Sequence, residues 1–543
     1  MNKLLRFFTI CLLAAACLTV NAQNDDEDAR LRQKMQAAVM KVYDDHLAQN
    51  PDDYNTRFAR ANQLYYNGEY ARALEDARIV EQQIPTKEKE VRLENLLLIA
   101  RILDYNGNYE DEIETLRTAA DIDPKSLACI DLLGKVSLKV KDLSAAEHNF
   151  QTILRESPMN YDAMYQMAKV ELARNNYAKA AGYVDKAVEL FKAEPQVYIN
   201  RSDILFQMEQ YEPAVQDLIS AMSVGDDGGV SIQKLFEISD TRYDDVMNVL
   251  ATSIDKAPQV GMFYYVRANI AMRHEHYAQA LKNLRAINDY NLYNYHSIDY
   301  ATARCHFELT QYDDAALLID RAISKAEGVM PDYLILKAQI ERYRTGKVDQ
   351  ALTIVDQALA AQPGYAPAML TKARLQIQKR ADRDALATLS TLLAAEPDNA
   401  EALLLRGWVN KYRLSNPTGA AADFETILLG NKGIEGLQGF ALHELNRDEE
   451  ARTWAKQIIK DGILPGGKSY FIASALLSDI GNFEAGDKSL SLEYLRSALA
   501  NGYGSLQEVK VNEDPYVNLK LVRRYEDFNT VLDQNTDNFK ERR

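Results

Sequence analysis

The sequence predicts an all-α protein of about twelve helix-turn-helix repeats stacked in tandem, closed at its C-terminal end by a helical cap. One residue pattern recurs along the chain, with most steps of 34 to 36 positions, and the apolar residues within each copy follow helical spacing. Gly and Pro recur at the ends of the helices. With 47% hydrophobic and 26% charged residues among 543, the chain can bury a large core, which excludes wholly disordered and collagen-like architectures.

The repeat is clearest as an aromatic or aliphatic residue followed three positions later by a small one. Tyr70 with Ala73 and Tyr177 with Ala180 are examples. The small position continues along the chain, with Glu112 and Val246 filling it in two weaker copies: Ala73, Glu112, Ala146, Ala180, Ala214, Val246, Ala280, Ala315, Ala351, Ala385, Ala420 and Ala451. A fixed period of this length is typical of a solenoid.

One copy, residues 54–85, shows how the local sequence predicts a helix pair. Phe58, Ala61 and Leu64 share one helical face, and Gly68 marks the turn that follows. A second apolar face continues to Pro85, which ends the second helix because proline cannot continue it.

Two copies carry the resemblance to a known family: Ala61, Gly68, Tyr70, Ala73 and Pro85 in one, and Gly134, Leu143, Ala146, Phe150 and Pro158 in the other. These residues resemble the tetratricopeptide repeat, and the resemblance covers about three quarters of the chain. It implies a right-handed α-α superhelix of antiparallel helix pairs, with the first helices lining a concave groove. Partner proteins or peptides dock in such a groove, and no cofactor is implied.

The predicted repeats fall into two arms, residues 35–222 and 259–465. Between them, residues 223–258 hold a Gly-rich loop and a degenerate repeat, where a hinge and an insertion are both open readings. Residues 466–543 are predicted to form the helical cap, which covers the apolar face of the last repeat, and a frayed tail.

The N-terminus predicts export. Residues 1–22 read as a signal peptide because Lys3 and Arg6 precede an apolar stretch and Ala22 ends a small-residue cleavage site. Residues 23–34 are then an acidic N-terminal tail of a soluble periplasmic protein, resembling exported proteins of Bacteroidetes-type bacteria. The alternative is a lipid anchor on Cys17 and association with the outer membrane. The apolar stretch is too short for a transmembrane segment, and no later one comes closer.

Charge and cysteine content narrow the function classes. The formal charge is −16, which argues against a nucleic-acid partner. Cys129 and Cys305 lie among apolar helical neighbours and are predicted to be buried structural thiols.

The motifs that suggest chemistry lack their usual context. Residues 462–469 satisfy a phosphate-loop pattern, but a helix precedes them where a strand is required, so we interpret them as an inter-repeat connection. His274, Glu275 and His276 occupy a turn where solvent-exposed polar residues are expected, and metal binding is not predicted. We therefore expect no catalytic residues, no metal and no cofactor, and a protein that is not an enzyme.

The resemblance implies that the residue after the small position of each first helix faces the groove. In order these are Asn62, Arg101, Lys135, Lys169, Asp203, Asn269, Arg304, Gln339, Arg374 and Trp408, of which five are cationic and one is acidic. Aromatic residues such as Tyr165, Tyr265 and Tyr300 lie one turn earlier. We predict a basic, aromatic face suited to an extended or acidic peptide. The alternative is that these cations pair with neighbouring acids while the aromatics pack between helices.

Two functions from different classes follow. The first is a non-enzymatic scaffold or adaptor of the bacterial cell envelope that binds a partner protein or peptide in the groove. The alternative is a glycan-binding or substrate-delivery module of an outer-membrane uptake system, for which groove aromatics matter more than cations.

Overall fold

The structure is a computed structural model. It describes residues 25–226, 229–290, 292, 295–430, 437–462, 464, 467–481, 486–512 and 514–540, with side chains described from residue 36 onwards. The predicted signal peptide, Cys17 and Glu513 therefore lie outside the described residues.

Within these ranges the chain is all α-helical and contains no strand, which confirms the predicted fold class. The helices pack as consecutive pairs. The chain divides into two compact units: unit 1 ends at Gly225, and unit 2 begins at Asp226.

Unit 1 contains a leading helix followed by five helix pairs. The helices are α1 (Asp25–Gln49), α2 (Tyr54–Tyr66), α3 (Tyr70–Gln83), α4 (Lys89–Tyr105), α5 (Tyr109–Ile122), α6 (Leu127–Lys139), α7 (Leu143–Glu156), α8 (Tyr161–Ala173), α9 (Tyr177–Leu190), α10 (Pro195–Gln207) and α11 (Tyr211–Ser223). Pairing starts with α2 and α3, and each second helix packs on the next first helix.

Unit 2 opens with one long helix and continues the pairing. Its helices are α12 (Val230–Lys256), α13 (Gly261–Arg273), α14 (Tyr277–Asp289), α15 (His296–Glu308), α16 (Tyr312–Lys325), α17 (Pro331–Thr345), α18 (Val348–Ala361), α19 (Ala366–Gln378), α20 (Asp382–Ala395), α21 (Ala400–Tyr412), α22 (Pro417–Leu429), α23 (Gln438–Glu444), α24 (Asp448–Asp461), α25 (Lys468–Ile480), α26 (Asp487–Ala500) and α27 (Glu526–Asp533). The degenerate repeat expected within residues 223–258 forms α12, which is kinked at Arg242.

The small position of the repeat forms the centre of each helix pair. All twelve residues predicted there are at most 1% exposed, from Ala73 to Ala451. A small side chain at this point lets the two helix backbones approach closely, and larger side chains on either side complete the apolar core.

Arginine side chains tie several first helices to their second helices. Arg60 contacts Asp76 at 2.7 Å, and Arg201 contacts Asp217 at 2.7 Å. Arg406 contacts Asp423 at 2.6 Å. In each case the arginine directly precedes the small residue of the first helix, which is Ala61, Ser202 or Gly407. The same buried ion pair therefore recurs at one place in the repeat.

The turns between paired helices use a residue with positive φ. Glycine supplies it at Gly68, with φ of 80°, and at Gly107, with φ of 72°. Non-glycine residues adopt this conformation in other turns: Lys141, Asn175, Glu209, Glu275, Thr310, Arg380, Ser415 and Asn446. The turn geometry is thus kept even where the sequence lacks the glycine that favours it.

Helix α27 lies in the region predicted to form the cap. Helix α27 packs on α26, and Phe528, Val531 and Leu532 are buried. Between these two helices, residues 501–524 include a π-helical turn and a 3-10 turn. We call residues 501–524, apart from Glu513, the C-terminal segment.

Both terminal predictions need correction. Helix α1 begins at Asp25, inside the predicted acidic tail, and acidic residues favour a helix start because its N-terminal end carries partial positive charge. The predicted fraying from residue 535 is wrong as far as Phe539. The Asn538 side chain donates to the backbone oxygen of Leu499 at 2.5 Å, and Phe539 packs on the core.

Candidate functional site

The predicted groove residues of unit 1 occupy equivalent positions on successive first helices. Arg101 lies on α4, Lys135 on α6 and Lys169 on α8, each 34 residues from the next. We call these three residues the cationic row. Asn62 holds the same position on α2, where its amide donates to the Phe58 backbone oxygen at 2.9 Å.

Each member of the cationic row has a different electrostatic environment. Arg101 is exposed, and among the described residues no ion pair or hydrogen bond involves its guanidinium. Lys135 Nζ lies 2.6 Å from Asp131 Oδ2 on the same helix. Burial lowers the pKa of Lys169, while Asp203 opposes this change and Lys139 and Lys135 add to it.

Tyr165 fixes one wall beside Lys169. Its hydroxyl donates to Asp203 Oδ2 at 3.1 Å, and Lys169 Nζ lies 5.5 Å from the centre of the Tyr165 ring. Burial is the main cause that raises the pKa of this phenol. The structure therefore brings Tyr165 and Lys169 together and places the acidic Asp203 next to them.

The sequence reasoning missed the next helical turn. Tyr66, Tyr105 and Lys139 each follow a predicted groove residue by four positions, so they extend the same helix faces. Tyr66 is 79% exposed and Tyr105 is 67% exposed. Lys139 forms an ion pair with Asp104 on α4. Counting four residues on from the groove position would have found them.

In unit 2, the predicted aromatic residues serve packing and hydrogen bonding. The Tyr300 ring stacks on that of Tyr333, with ring centres 4.4 Å apart. Tyr265 is half-buried, and its backbone oxygen accepts a hydrogen bond from Asn269 at 2.8 Å. The Tyr300 contact agrees with the alternative in which aromatic residues pack between helices.

The predicted cations of unit 2 face acidic residues. Arg304 is exposed, and Tyr277 and Glu308 raise its pKa by electrostatic interaction. Arg374 pairs with Glu401 on α21 and, at 2.9 Å, with Asp514 of the C-terminal segment. A groove position therefore holds an acidic residue that comes from outside the repeats.

Further contacts keep the C-terminal segment against the first helices of unit 2. Ser505 Oγ donates to Glu308 Oε2 at 2.6 Å. Tyr516 Oη donates to the Leu404 backbone oxygen at 3.0 Å, and Tyr516 is 1% exposed. The Arg523 guanidinium donates to three backbone oxygens of the same segment at 2.8 to 3.0 Å. The segment is therefore anchored at several points.

A cavity of about 1320 Å³ lies between this segment and first helices of unit 2, including α17, α19 and α21. Trp408, the last predicted groove residue, lines it. The Arg413 guanidinium lies 4.8 Å from the centre of the Trp408 ring, and the Tyr412 ring centre lies 5.6 Å from it. Arg374 and Trp408 thus border a chamber whose walls include the C-terminal segment.

Sequence comparison identifies the repeats. Tetratricopeptide repeat models match residues 93–126, 132–195, 265–329 and 343–409. The chain is a tetratricopeptide repeat protein. Proteins built from repeats of this family generally act as scaffolds for protein-protein interaction and are generally not enzymes.

Solved structures of tetratricopeptide repeat and related proteins match at low identity. A tetratricopeptide repeat protein from Parabacteroides merdae is 13% identical, covers 53% of this chain and 98% of its own, and gives a TM-score of 0.27. Yeast Tom70 is 14% identical, covers 76% of this chain and 98% of its own, and gives a TM-score of 0.34. A human IFIT1 dimer with m7Gppp-AAAA is 13% identical, covers 75% and 90%, and gives 0.33. No curated protein matches the sequence.

The phosphate-loop pattern of this tetratricopeptide repeat protein joins two helices. Gly462 ends α24 and Lys468 begins α25, whereas Ile463, Pro465 and Gly466 lie outside the described residues. Lys468 Nζ contacts Glu275 Oε1 at 2.6 Å. The lysine of the pattern is thus engaged by a carboxylate of the same unit.

The His274 to His276 turn differs from its prediction. His274 is 2% exposed and Glu275 is 8% exposed, so the expected solvent-exposed turn is wrong. The C-terminal segment covers it: His276 Nε2 lies 3.3 Å from the Asn501 backbone oxygen. Among the described residues, no group of three or more His, Cys, Asp or Glu side chains could hold a metal ion.

The two thiols are buried, as predicted. Cys129 and Cys305 are 0% exposed, and neither forms a disulfide within the described residues. Burial raises the pKa of Cys129 to about 11, which disfavours the reactive thiolate. In the part of the chain that the structure describes, no helix has the length and apolar character needed to cross a membrane.

Proposed function

We propose that this protein is a non-enzymatic scaffold of the bacterial cell envelope that binds a partner protein through the cationic row of unit 1. One observation carries this proposal: at the equivalent groove position of unit 2, Arg374 holds Asp514, a carboxylate from outside the repeats. Ion-paired hydrogen bonds of this kind are among the stronger polar contacts in proteins.

The cationic row supplies the same chemistry in unit 1. Arg101 is exposed, and Lys135, Lys139 and Lys169 lie close enough to influence one another, with Asp131, Asp104 and Asp203 beside them. Exposed cations on adjacent rigid helices attract an acidic partner and fix its register.

A charge-removal variant tests the cationic row. The change Arg101→Gln, Lys135→Gln and Lys169→Gln is expected to reduce crosslinked partner recovered from cells by about tenfold, because charged contacts set both association rate and register. The measurement is in-cell crosslinking followed by mass spectrometry.

A matched control removes three exposed cations elsewhere in unit 1. Lys179, Lys186 and Lys192 lie on or just after the second helix α9, and their change to Gln alters net charge equally. Equal partner recovery from both variants would place the partner elsewhere, and recovery that is undiminished in the first variant would defeat the proposal.

The envelope setting rests on residues 1–22. We expect a periplasmic fraction to contain a mature chain that begins at Gln23, determined by mass spectrometry of the N-terminal peptide. A lipid-modified N-terminus at Cys17 would instead support the anchored alternative, and an uncleaved chain in the cytoplasm would contradict export.

A further inference from the structure

The C-terminal segment changes what the inner side of unit 2 can accept. Tyr503, Val509 and Leu519 of this segment are 0% exposed. The Tyr503 ring stacks on Phe471 with ring centres 4.5 Å apart. A segment buried in this way is a fixed wall, so a long peptide has no continuous path along these helices.

The remaining chamber offers aromatic surface. Its volume of about 1320 Å³ exceeds the roughly 300–1,000 Å³ typical of pockets for drug-sized molecules. Tyr412 lines it and is 52% exposed, and its hydroxyl donates to Glu444 Oε2 at 3.0 Å. That bond holds the ring in place with a face open to solvent. Trp408 lies beside it and lines the same chamber.

Charged groups of both signs surround these rings. Among the described lining residues, nine are Lys or Arg and six are Asp or Glu, in contrast to the acidic chain as a whole. Lys510, Lys520 and Arg524 are exposed, and in the described residues none of their side chains forms an ion pair or hydrogen bond. They come from the C-terminal segment, which contributes more Lys and Arg than Asp and Glu to the lining.

The mixture of signs favours one ligand class. A simple anion needs cations alone and would be repelled by Glu444 and Asp479, which also line the chamber. Sugar hydroxyls both donate and accept, so carboxylates and guanidinium groups can bind them together. Sugar rings also pack on exposed aromatic faces, and the cation excess selects negatively charged sugars.

We propose that this chamber of unit 2 binds a short anionic oligosaccharide, with its ring against Tyr412 and its acidic group near Lys510, Lys520 or Arg524. This site is independent of the proposed partner surface in unit 1, because it uses different residues and a different ligand class. Failure of one proposal leaves the other standing.

Fluorescence titration of the full chain tests the site. Trp454 is changed to Phe so that the emission comes from Trp408, the other of the two tryptophans. Tetragalacturonate is the probe, and its methyl-esterified form is the neutral match. We expect a saturable change with the first and binding weaker by about tenfold or more with the second, because the ester removes the charge.

Two variants locate the interaction. Tyr412→Ala is expected to weaken tetragalacturonate binding by about tenfold, whereas Tyr412→Phe, which keeps the ring, retains most of it. Combined Lys510→Gln, Lys520→Gln and Arg524→Gln is expected to abolish the preference for the charged sugar. The control changes Lys347, Lys456 and Lys460 to Gln, since they are exposed residues of unit 2 outside the chamber lining.

Three results would overturn the proposal. They are no saturable signal with tetragalacturonate, equal binding of the methyl-esterified form, and tighter binding of hexaglutamate or inorganic sulfate than of the sugar. Circular dichroism of each variant separates loss of binding from loss of folding.

Discussion

The ring of Phe150 occupies the space that a side chain on Gly134 would need. A Cβ built on Gly134 would lie 2.6 Å from Phe150 Cε1, and one on Gly407 would lie 2.4 Å from Phe424 Cε1. These glycines stand at the small position of a first helix, where other copies have alanine. In both copies, a phenylalanine ring on the second helix therefore faces a glycine on the first helix.

The first prediction follows from this contact. Gly134→Ala is expected to destabilise the protein by about 1–3 kcal/mol, because the added methyl group overpacks the core. Urea unfolding followed by circular dichroism measures the change. The control is Gly182→Ala, where nothing lies within 4 Å, so a small gain of about 0.5–1 kcal/mol is expected. Destabilisation of both variants to the same extent would show that Phe150 is not the cause.

A second prediction concerns Arg267, an arginine whose repeat partner is an amide. Arg267 Nη1 donates to Asn283 Oδ1 at 3.2 Å, and Arg267 Nε is buried without a hydrogen bond. Burial lowers the pKa of Arg267. Asn283→Asp is expected to stabilise unit 2 by about 1–3 kcal/mol. It gives Arg267 a carboxylate partner equivalent to the one that Asp76 provides for Arg60 and Asp217 provides for Arg201.

The reverse change, from a carboxylate to an amide at Asp217, is the matched control for the Arg267 and Asn283 pair. Asp217→Asn removes the buried carboxylate facing Arg201 and is expected to destabilise the protein by about 1–3 kcal/mol, because Arg201 keeps only its exposed partner Asp185. Equal signs for Asn283→Asp and Asp217→Asn in urea unfolding would contradict this account.

The third prediction is a pH dependence that arises from Glu112. This carboxylate fills a position that most copies give to alanine, is 1% exposed, and has one oxygen without a hydrogen bond. Burial, with a further contribution from Asp104, raises its pKa from 4.5 to about 7, although Lys139 opposes the change. The folded state therefore binds the proton more tightly than the unfolded state does.

It follows that Glu112 costs stability as pH rises from about 4.5 to 7, by roughly 1–3 kcal/mol in total. Glu112→Gln removes the ionisable group, so it is expected to raise the urea midpoint at pH 8 and to flatten this pH dependence. A slope identical to that of the native sequence would show that Glu112 does not titrate in this range.

The fourth prediction uses the turns. Thr310 is β-branched and has φ of 61°, a conformation that costs such residues about 1–2 kcal/mol. Thr310→Gly is expected to raise stability by about 0.5–1 kcal/mol, because glycine adopts this conformation without strain but loses more chain entropy. Conversely, Gly68→Ala should lower it by about 1 kcal/mol, although nothing lies within 4 Å of the added Cβ. Differential scanning calorimetry distinguishes the two signs.

The repeat could be predicted from the sequence because its signals are local. The small position, the turn residues and the apolar spacing lie within about 35 residues of one another, and this period repeats along the chain. The burial of Ala73 and Ala451 at the contact between paired helices follows directly from that pattern. Groove positions such as Arg101 and Lys169 could be numbered for the same reason.

The interior of unit 2 could not be predicted in this way. Arg374 and Asp514 are separated by 140 residues, and Asp514 lies outside the periodic sequence. The apolar residues after position 501 indicated a cap, but their spacing carries no information about which first helices they reach. For the same reason Glu275, whose carboxylate contacts Lys468 across 193 residues, was expected in solvent.

Contacts in a repeat array normally join neighbours, so such a chain can fold progressively as it is synthesised. The meeting of His276 with Asn501 bridges 225 residues and links an early helix pair of unit 2 to its end. Unit 2 can therefore complete its native arrangement only after Asn501 has been synthesised. Loss of residues 501–540 would remove the C-terminal segment and helix α27 together, so truncation should act on this unit as a cooperative whole rather than on one repeat alone.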